Sequence, residues 1–258
     1  MAKKIDSKFK TFNPRDYLRE YYSRIGNENY SLLKFFYDAY KHIPRNSTIL
    51  EFGGGPTIYS IIGATTKAKE IHFSDFLEKN LAEVKLWHKK SRDAFDWSLF
   101  FKSALQIEGL KKVEQKDIRN KENLLRKKLT KFFICDAFQT MPLGKKYSKF
   151  YDVVNVNFVL DSITSSRKIW EDLLTNIVTL LKTDGVLIMS ALKNAAYWRT
   201  LNKFYPAVSI NENEIKKIFN KLGLKIISIT SIQAEVTNKD SDKYEGYQGM
   251  IFVSAKKT

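Results

Sequence analysis

An apolar stretch that runs into three consecutive glycines constrains the fold of this chain more than any other feature. Residues 48–59 read Thr-Ile-Leu-Glu-Phe-Gly-Gly-Gly-Pro-Thr-Ile-Tyr, and an apolar run compatible with a helix continues to Ala64. Consecutive glycines let the backbone turn sharply and let a ligand come close to peptide N–H groups. A strand that leads through such a loop into a helix is typical of the nucleotide site in doubly wound α/β domains, although an ordinary strand-to-helix turn could contain the same residues.

Two acidic residues follow later strands of the predicted sheet. Asp75 closes the apolar segment 70–75, about 20 residues beyond the glycines, where folds of this kind hold the ribose hydroxyls of an adenosine ligand. Asp136 lies in a third apolar segment, residues 132–137, where a carboxylate could accept a hydrogen bond from an adenine amino group. Either acid could instead cap a helix or a turn. Their common spacing from the strands favours a ligand site.

The order of the predicted elements indicates an α/β fold. Strands alternate with helices until the last pair, residues 225–236 and 250–256, which only a polar segment joins. Right-handed crossovers then make the earlier strands parallel, while the last strand can be antiparallel. We predict a single domain over residues 1–258. Its core, residues 46–258, is a Rossmann-like seven-stranded sheet, mostly parallel with an antiparallel last strand, and residues 1–45 form an N-terminal helical cap.

Three local predictions concern the chain outside the sheet. Residues 1–11 are polar and are expected to be frayed. Aromatic residues and leucines recur at spacings of three and four over residues 12–40, which predicts helices divided at Gly26. Residues 197–206 are predicted to be a loop or a short helix.

Composition excludes several classes of protein. Cys135 is the lone cysteine and the three histidines lack metal-ligand spacing, so neither a disulfide framework nor a metal site is expected. No apolar window approaches the ~20 residues of a membrane span, and no apolar run follows the first lysines as in a secretory signal. A cytoplasmic protein without membrane association is therefore predicted. The net charge of +16 could attract nucleic acid, but the lysines are spread along the chain as in a general compositional bias.

Short motifs point to a family. They are Phe12-Asn-Pro-Arg-Asp-Tyr-Leu-Arg-Glu-Tyr-Tyr22, Gly53-Gly-Gly-Pro-Thr-Ile-Tyr59, Asp75 with Asn80-Leu81, Ala94-Phe-Asp-Trp-Ser98, Cys135-Asp136 and Ala191-Leu-Lys193. Acids before the glycines, after the second strand and after the third resemble those of class I S-adenosylmethionine-dependent methyltransferases. In content and order, from about Phe12 to the C-terminus, the motifs resemble those of the nicotinamide, phenylethanolamine and indolethylamine N-methyltransferase family.

The resemblance implies S-adenosyl-L-methionine as cofactor, S-adenosyl-L-homocysteine as product, and a nitrogen of a small amine or N-heterocycle as methyl acceptor. It implies that the cofactor is bound by Tyr17, Tyr22, Gly53, Gly54, Gly55, Thr57, Tyr59, Asp75, Asn80, Cys135, Asp136, Ala137 and Asn157. It implies that the acceptor is bound by Tyr21, Phe158, Ser190, Asn194 and Tyr197. Tyr17 and Tyr21 would position the reactants, and no general base is assigned.

One position departs from the family pattern. Members that act on nicotinamide or amines carry an acid directly before Ala-Leu, and this chain has Ser190 there. A neutral hydroxyl cannot pair with a cationic amine, which argues against nicotinamide and leaves the acceptor open. Two alternatives remain: an RNA or protein methyltransferase that uses the basic surface, and a cofactor-binding protein without catalysis. A monomer is expected.

Overall fold

The structure is a computed structural model and describes residues 7–258. This part of the chain contains nine strands, of which seven form one sheet and two form a separate hairpin. They are β1 Ser47–Phe52, β2 Ala68–Asp75, β3 Leu129–Ile134, β4 Tyr151–Asn157, β5 Leu181–Lys193, β6 Tyr197–Thr200, β7 Lys203–Pro206, β8 Leu224–Gln233 and β9 Gly249–Lys257. The sheet order is β3-β2-β1-β4-β5-β9-β8. Within this seven-stranded sheet, β9 is antiparallel to its neighbours β5 and β8, and all other neighbouring strands are parallel. This confirms the predicted fold class.

The strand order indicates a ligand site beyond the carboxyl ends of the central strands. From β1 the chain moves outward through β2 to β3, then returns to β4 on the other side of β1. The central strands β1 and β4 are largely buried on both faces, as their Ile-, Leu- and Val-rich sequences require. In such sheets, the crevice beyond the carboxyl ends of the strands at the point of reversal is the usual binding site.

Seven α-helices cover the sheet and its carboxyl edge within residues 7–258. They are α1 Pro14–Tyr22, α2 Asn27–Lys41, α3 Glu78–His88, α4 Ser98–Ile107, α5 Gln115–Lys128, α6 Arg167–Val178 and α7 Glu212–Lys221. Helix α1 begins at a proline, and the Asn13 side chain before it accepts hydrogen bonds from the amides of Arg15 and Asp16. Helix α2 packs on the sheet face, where Phe35 stacks on Phe252 of β9 at 5.2 Å. No described helix is long and apolar enough to cross a membrane.

Two local predictions differ from the structure. Residues Ser7–Thr11 form a 3₁₀ helix that buries Phe9 against Tyr205, so the chain is not frayed there, while residues 1–6 lie outside the described part. The helix expected after the glycines is present as a 3₁₀ helix, Tyr59–Thr66. Residues 197–206 form the antiparallel hairpin β6–β7 instead of a loop or short helix.

Candidate functional site

The glycine loop adopts a backbone that side chains would prevent. Gly53 and Gly55 have φ angles of +66° and +61°. A Cβ atom on Gly54 would lie 2.4 Å from the Phe73 ring, so this glycine is needed for packing against β2. A Cβ on Gly55 would meet no described atom within 4 Å, which leaves open space above the peptide. The Thr57 hydroxyl donates to the Gly54 carbonyl at 2.7 Å and closes the turn.

Asp75 fastens the end of β2 to the glycine loop. Its carboxylate accepts hydrogen bonds from Gly55 N at 2.9 Å, Leu77 N at 2.8 Å and Asn80 Nδ2 at 2.9 Å. Burial raises the pKa of Asp75, while these donors oppose the rise. Asn80 is only 5% exposed, and no hydrogen-bond partner for its Oδ1 exists among the described residues. A buried acceptor without a partner indicates a ligand that donates a hydrogen bond there.

A chain of side-chain hydrogen bonds crosses the sheet below the site. The Ser190 hydroxyl donates to Asn157 Oδ1 at 2.9 Å, and Asn157 Nδ2 donates to Asn155 Oδ1 at 2.9 Å. Asn155 Nδ2 then donates to Glu51 Oε2 at 2.5 Å. The chain joins β5, β4 and β1 side by side, and it satisfies polar groups that would otherwise be costly to bury.

Glu51, at the end of this chain, is a site residue that the sequence predictions omitted. It is 1% exposed and lines the cavity below the glycine loop. Burial raises the pKa of its carboxyl to about 8. Its position two residues before the first glycine was the available signal, because residues at the carboxyl end of a central strand lie near the ligand crevice.

A cavity of about 900 Å³ lies over the carboxyl ends of β1, β2 and β4. Every residue predicted to bind the cofactor lines it: Tyr17, Tyr22, Gly53, Gly54, Gly55, Thr57, Tyr59, Asp75, Asn80, Cys135, Asp136, Ala137 and Asn157. They come from five separate segments of the chain. Asp136 follows β3 in a turn, where its carboxylate also accepts from Phe138 N at 2.9 Å.

Aromatic residues that the sequence analysis did not assign to the site close this cavity. Phe9 and Phe12 line it from the N-terminal segment and Trp198 lines it from β6. Trp198 stacks on Tyr205 at 4.3 Å and donates its indole N–H to the Ser162 carbonyl at 2.9 Å. The sequence analysis did not predict the hairpin. Alternate residues of a strand face opposite sides, so the side on which Trp198 lies follows only from the strand pairing.

The tyrosines of α1 form a wall of the cavity. The hydroxyls of Tyr17 and Tyr22 lie 3.2 Å apart, and the Tyr22 ring stacks on Tyr59 at 5.1 Å. Burial raises the pKa of Tyr17 to about 12. These phenols are therefore neutral near pH 7 and act through shape, stacking and hydrogen bonding.

A second cavity, of about 590 Å³, adjoins the first. Tyr21 and Phe158, both predicted to contact the acceptor, line it. Phe158 has a φ angle of +52°, an uncommon conformation for a residue with a Cβ, and its side chain lines both cavities. The two cavities also share walls formed by Tyr17, Tyr22, Ser162 and Trp198.

The other predicted acceptor residues lie outside both cavities. Ser190 is 1% exposed, and its hydroxyl donates a hydrogen bond to Asn157 Oδ1. The Asn194 amide instead donates to Gln248 Oε1 at 3.0 Å. The Tyr197 ring packs between Phe204 and Tyr244, because it lies on the opposite face of β6 from Trp198. The structure thus places Asn194 and Tyr197 away from both cavities.

The first cavity has the chemistry that S-adenosylmethionine requires. Glycines leave peptide space for the methionine chain, and Glu51 offers a carboxylate to its ammonium group. Asp75 and the unpartnered Asn80 oxygen could accept the ribose hydroxyls, and the segment from Cys135 to Ala137 could border the adenine. Within residues 7–258, no three His, Cys, Asp or Glu side chains converge as a metal site.

Comparisons with known proteins identify a family and several relatives. A model of the NNMT/PNMT/TEMT family matches residues 2–258. The chain is 33% identical to nicotinamide N-methyltransferase of Homo sapiens over 207 residues, or 77% of each protein. It is 25% identical to indolethylamine N-methyltransferase of Mus musculus over 255 residues, covering 96% of this chain and 94% of that protein.

A solved structure shares the fold. It is the 1,6-didemethyltoxoflavin-N1-methyltransferase of Burkholderia thailandensis with bound 1,6-didemethyltoxoflavin and S-adenosylhomocysteine. The TM-score is 0.51 at 13% sequence identity, and the match covers 95% of this chain and 87% of that chain.

Proposed function

The chain belongs to the NNMT/PNMT/TEMT family, and from this membership we propose that it transfers the methyl group of S-adenosylmethionine to a nitrogen of a small molecule. The relatives reported above are N-methyltransferases by name. The observation that carries the proposal is the pair of adjoining cavities with common aromatic walls, one built for the cofactor and one open to an acceptor.

The residues of the first cavity would bind and orient the cofactor. S-adenosylmethionine supplies an activated methyl group on a sulfonium. We propose that Asp75 holds the ribose, that Glu51 faces the methionine ammonium, and that Tyr17 and Tyr22 cover the methyl donor. Alignment, close approach and exclusion of water are then the main contributions of the protein.

The acceptor would lie in the second cavity against flat aromatic walls. Tyr21, Phe158 and Trp198 suit a planar or cationic molecule through stacking and cation–π attraction. No general base is assigned, because a nitrogen with a free lone pair attacks without one. The family position of the acid is occupied by the buried Ser190, so we do not propose nicotinamide itself as the acceptor.

The alternatives from the sequence receive no support from the comparisons. The relatives named above are N-methyltransferases of nicotinamide and indolethylamine, and none is named for RNA or protein. The expectations of a monomer, of a cytoplasmic location and of no nucleic-acid partner stay predictions from composition.

The cofactor site is tested by replacing Asp75 with Asn. The new amide would present a donor to the Gly55 or Leu77 N–H and would weaken both the loop and the ribose contact. We expect the affinity for S-adenosylhomocysteine, measured by calorimetry, to fall about 100-fold, since hydrogen bonds to charged groups contribute about 1.5–3 kcal/mol. Formation of S-adenosylhomocysteine with a panel of amines and N-heterocycles measures transfer.

Asp152→Asn is the matched control. Asp152 accepts hydrogen bonds from Thr48 N at 2.8 Å and Lys182 Nζ at 2.7 Å at the opposite edge of the same sheet. This variant should lose stability and keep its affinity for the cofactor. Equal affinities for the wild type and Asp75→Asn would contradict the assignment of the site.

A further inference from the structure

The second cavity contains one charged group in a lining that is mostly aromatic and apolar, with Asn29 and Ser162 as its other polar residues apart from the tyrosines. Among the described residues that line it, Glu28 alone carries a formal charge. Tyr21, Phe158, Trp198 and Met250 supply much of the remaining wall. A pocket of this type, with a few convergent polar groups among apolar walls, is the usual form of a small-molecule site.

The hydrogen bonds of Glu28 leave its carboxylate with spare acceptor capacity. Oε1 accepts from Glu235 N at 3.0 Å, and Oε2 lies 3.1 Å from the Tyr247 hydroxyl. That hydroxyl has a single hydrogen, and Glu245 Oε2 is closer to it at 2.7 Å. No Lys, Arg or His nitrogen within residues 7–258 forms an ion pair with Glu28.

The surroundings of Glu28 favour a positively charged partner. Burial raises the pKa of its carboxyl, and the neighbouring carboxylates of Glu245 and Glu235 raise it further. A cation beside Glu28 would reverse this effect and stabilise the ionised carboxylate. The aromatic rings of the cavity would add cation–π attraction.

We propose that Glu28 holds a positively charged group of the methyl acceptor, and that this group is distinct from the nitrogen that receives the methyl. The inference rests on the proposed function. Glu28 lies in the first turn of α2, on the side of the cavity that the N-terminal helices form.

The chemistry of methyl transfer requires two groups on such an acceptor. A nitrogen held as an ammonium or amidinium ion at Glu28 has no lone pair to attack with. The reacting nitrogen therefore lies toward the walls common to both cavities, which Tyr17, Tyr22 and Phe158 form. Its lone pair forms the C–N bond while the C–S bond breaks, the electron pair stays on sulfur, and the positive charge passes from sulfur to nitrogen.

The acceptor class is therefore a planar nitrogen heterocycle with a cationic side group. A pair of probes isolates the charge: 3-(aminomethyl)pyridine, which carries an ammonium group near pH 7, and 3-ethylpyridine, which is neutral and of similar size. Dissociation constants for both are measured by calorimetry with protein saturated with S-adenosylhomocysteine. The methylated atom is identified by mass spectrometry and NMR of the product.

We expect wild-type protein to bind the cationic probe at least about 10-fold more tightly, as one desolvated charge pair provides. In Glu28→Gln the preference should fall below about 3-fold, since the amide keeps an acceptor for Glu235 N and loses the charge. Asp38→Asn, an exposed acid on the same helix, should keep the wild-type preference. The methyl should be found on the ring nitrogen.

Three results would overturn the inference: no preference for the cationic probe in the wild type, an unchanged preference in Glu28→Gln, or methylation of the aminomethyl nitrogen. Retained affinity of Glu28→Gln for S-adenosylhomocysteine shows that the variant is folded. If both probes are methylated without preference, the inference fails while the proposed function stands. If the protein neither binds S-adenosylmethionine nor transfers its methyl group, the proposed function itself fails.

Discussion

At the scale of single residues, the polar chain from Ser190 to Glu51 connects the first cavity to the interior of the sheet. Ser190 of β5 donates to Asn157, Asn157 donates to Asn155 within β4, and Asn155 donates to Glu51 of β1, which is buried with a raised pKa. A carboxyl that is harder to ionise in the folded state binds its proton more tightly there than in the unfolded chain. Glu51 therefore makes the stability of the free protein depend on pH.

The sign of this dependence can be predicted. The pKa of Glu51 is about 8 in the folded protein against 4.5 for an ordinary glutamate, so the folded state holds the extra proton between these values. Stability is then greatest below about pH 4.5 as far as this group is concerned, and it falls as the pH rises toward 8, by at most about 1.4 kcal/mol per pH unit. Glu51→Gln should flatten the curve of unfolding free energy, measured with urea at pH 5, 6, 7 and 8.

Asp161 provides a contrast for this measurement. Burial raises its pKa to about 6 from 3.8, and its carboxylate accepts from Leu192 N at 2.8 Å. Asp161→Asn should thus change the slope of unfolding free energy against pH mainly below pH 6. Glu51→Gln should change this slope both below and above pH 6. Parallel curves for the wild type and Glu51→Gln between pH 6 and 8 would show that Glu51 is ionised in the free protein.

At the scale of elements, α1 and the hairpin β6–β7 form one unit over the two cavities. The Tyr21 hydroxyl donates to the Arg199 carbonyl at 2.5 Å. Glu20 Oε2 accepts from Thr200 Oγ1 at 2.9 Å and from Leu201 N at 2.8 Å. Because α1 carries three tyrosines that line the cavities, the position of this helix should affect ligand binding as well as stability.

The two asparagine N-caps allow these effects to be separated. Asn13 caps α1, and Asn211 caps α7, which packs on β8 away from the cavities. Either Asn→Ala substitution should lower the unfolding free energy by about 1 kcal/mol. Only Asn13→Ala should also raise the KM for S-adenosylmethionine. Equal KM values in both variants would mean that the start of α1 has no influence on the cofactor site.

The same elements show what the sequence could and could not predict. The structure brings Gly53 and Asp75 together in one cavity, because parallel strands bring their carboxyl ends together whatever the details of packing. Tyr197 was assigned to the acceptor and Trp198 was not, since the facing of a hairpin residue depends on its pairing with β7. Glu28 reaches the second cavity only through the packing of α2, which no local pattern encodes.

At the scale of the whole molecule, the N-terminal segment is fastened over the carboxyl edge of the sheet. Lys79 of α3 donates to the carbonyls of Phe9 at 3.3 Å and Lys10 at 2.9 Å, and also to that of Phe12. Lys203 of the hairpin donates to the Thr11 carbonyl at 2.7 Å. We therefore expect a bound cofactor to leave only when the segment and the hairpin open together.

Hydrogen exchange of backbone amides should detect this coupled opening. With S-adenosylhomocysteine at 100 times its Kd, conformations that cannot hold the ligand become rarer by about 2.7 kcal/mol, or about 100-fold. Amides of residues 7–22 and 197–206 should therefore exchange more slowly by up to that factor, together with those of residues 53–57. In Lys79→Met the slowing of amide exchange in residues 7–12 should be smaller, because the hydrogen bonds from the Lys79 ammonium group to three carbonyls are lost.

The exposed ends of α7 serve as the internal reference for exchange, since they open without disturbing the cavity. If slowing is confined to residues 53–57 and 75–80, the cap does not enclose the bound ligand, and cofactor exchange is independent of its movement.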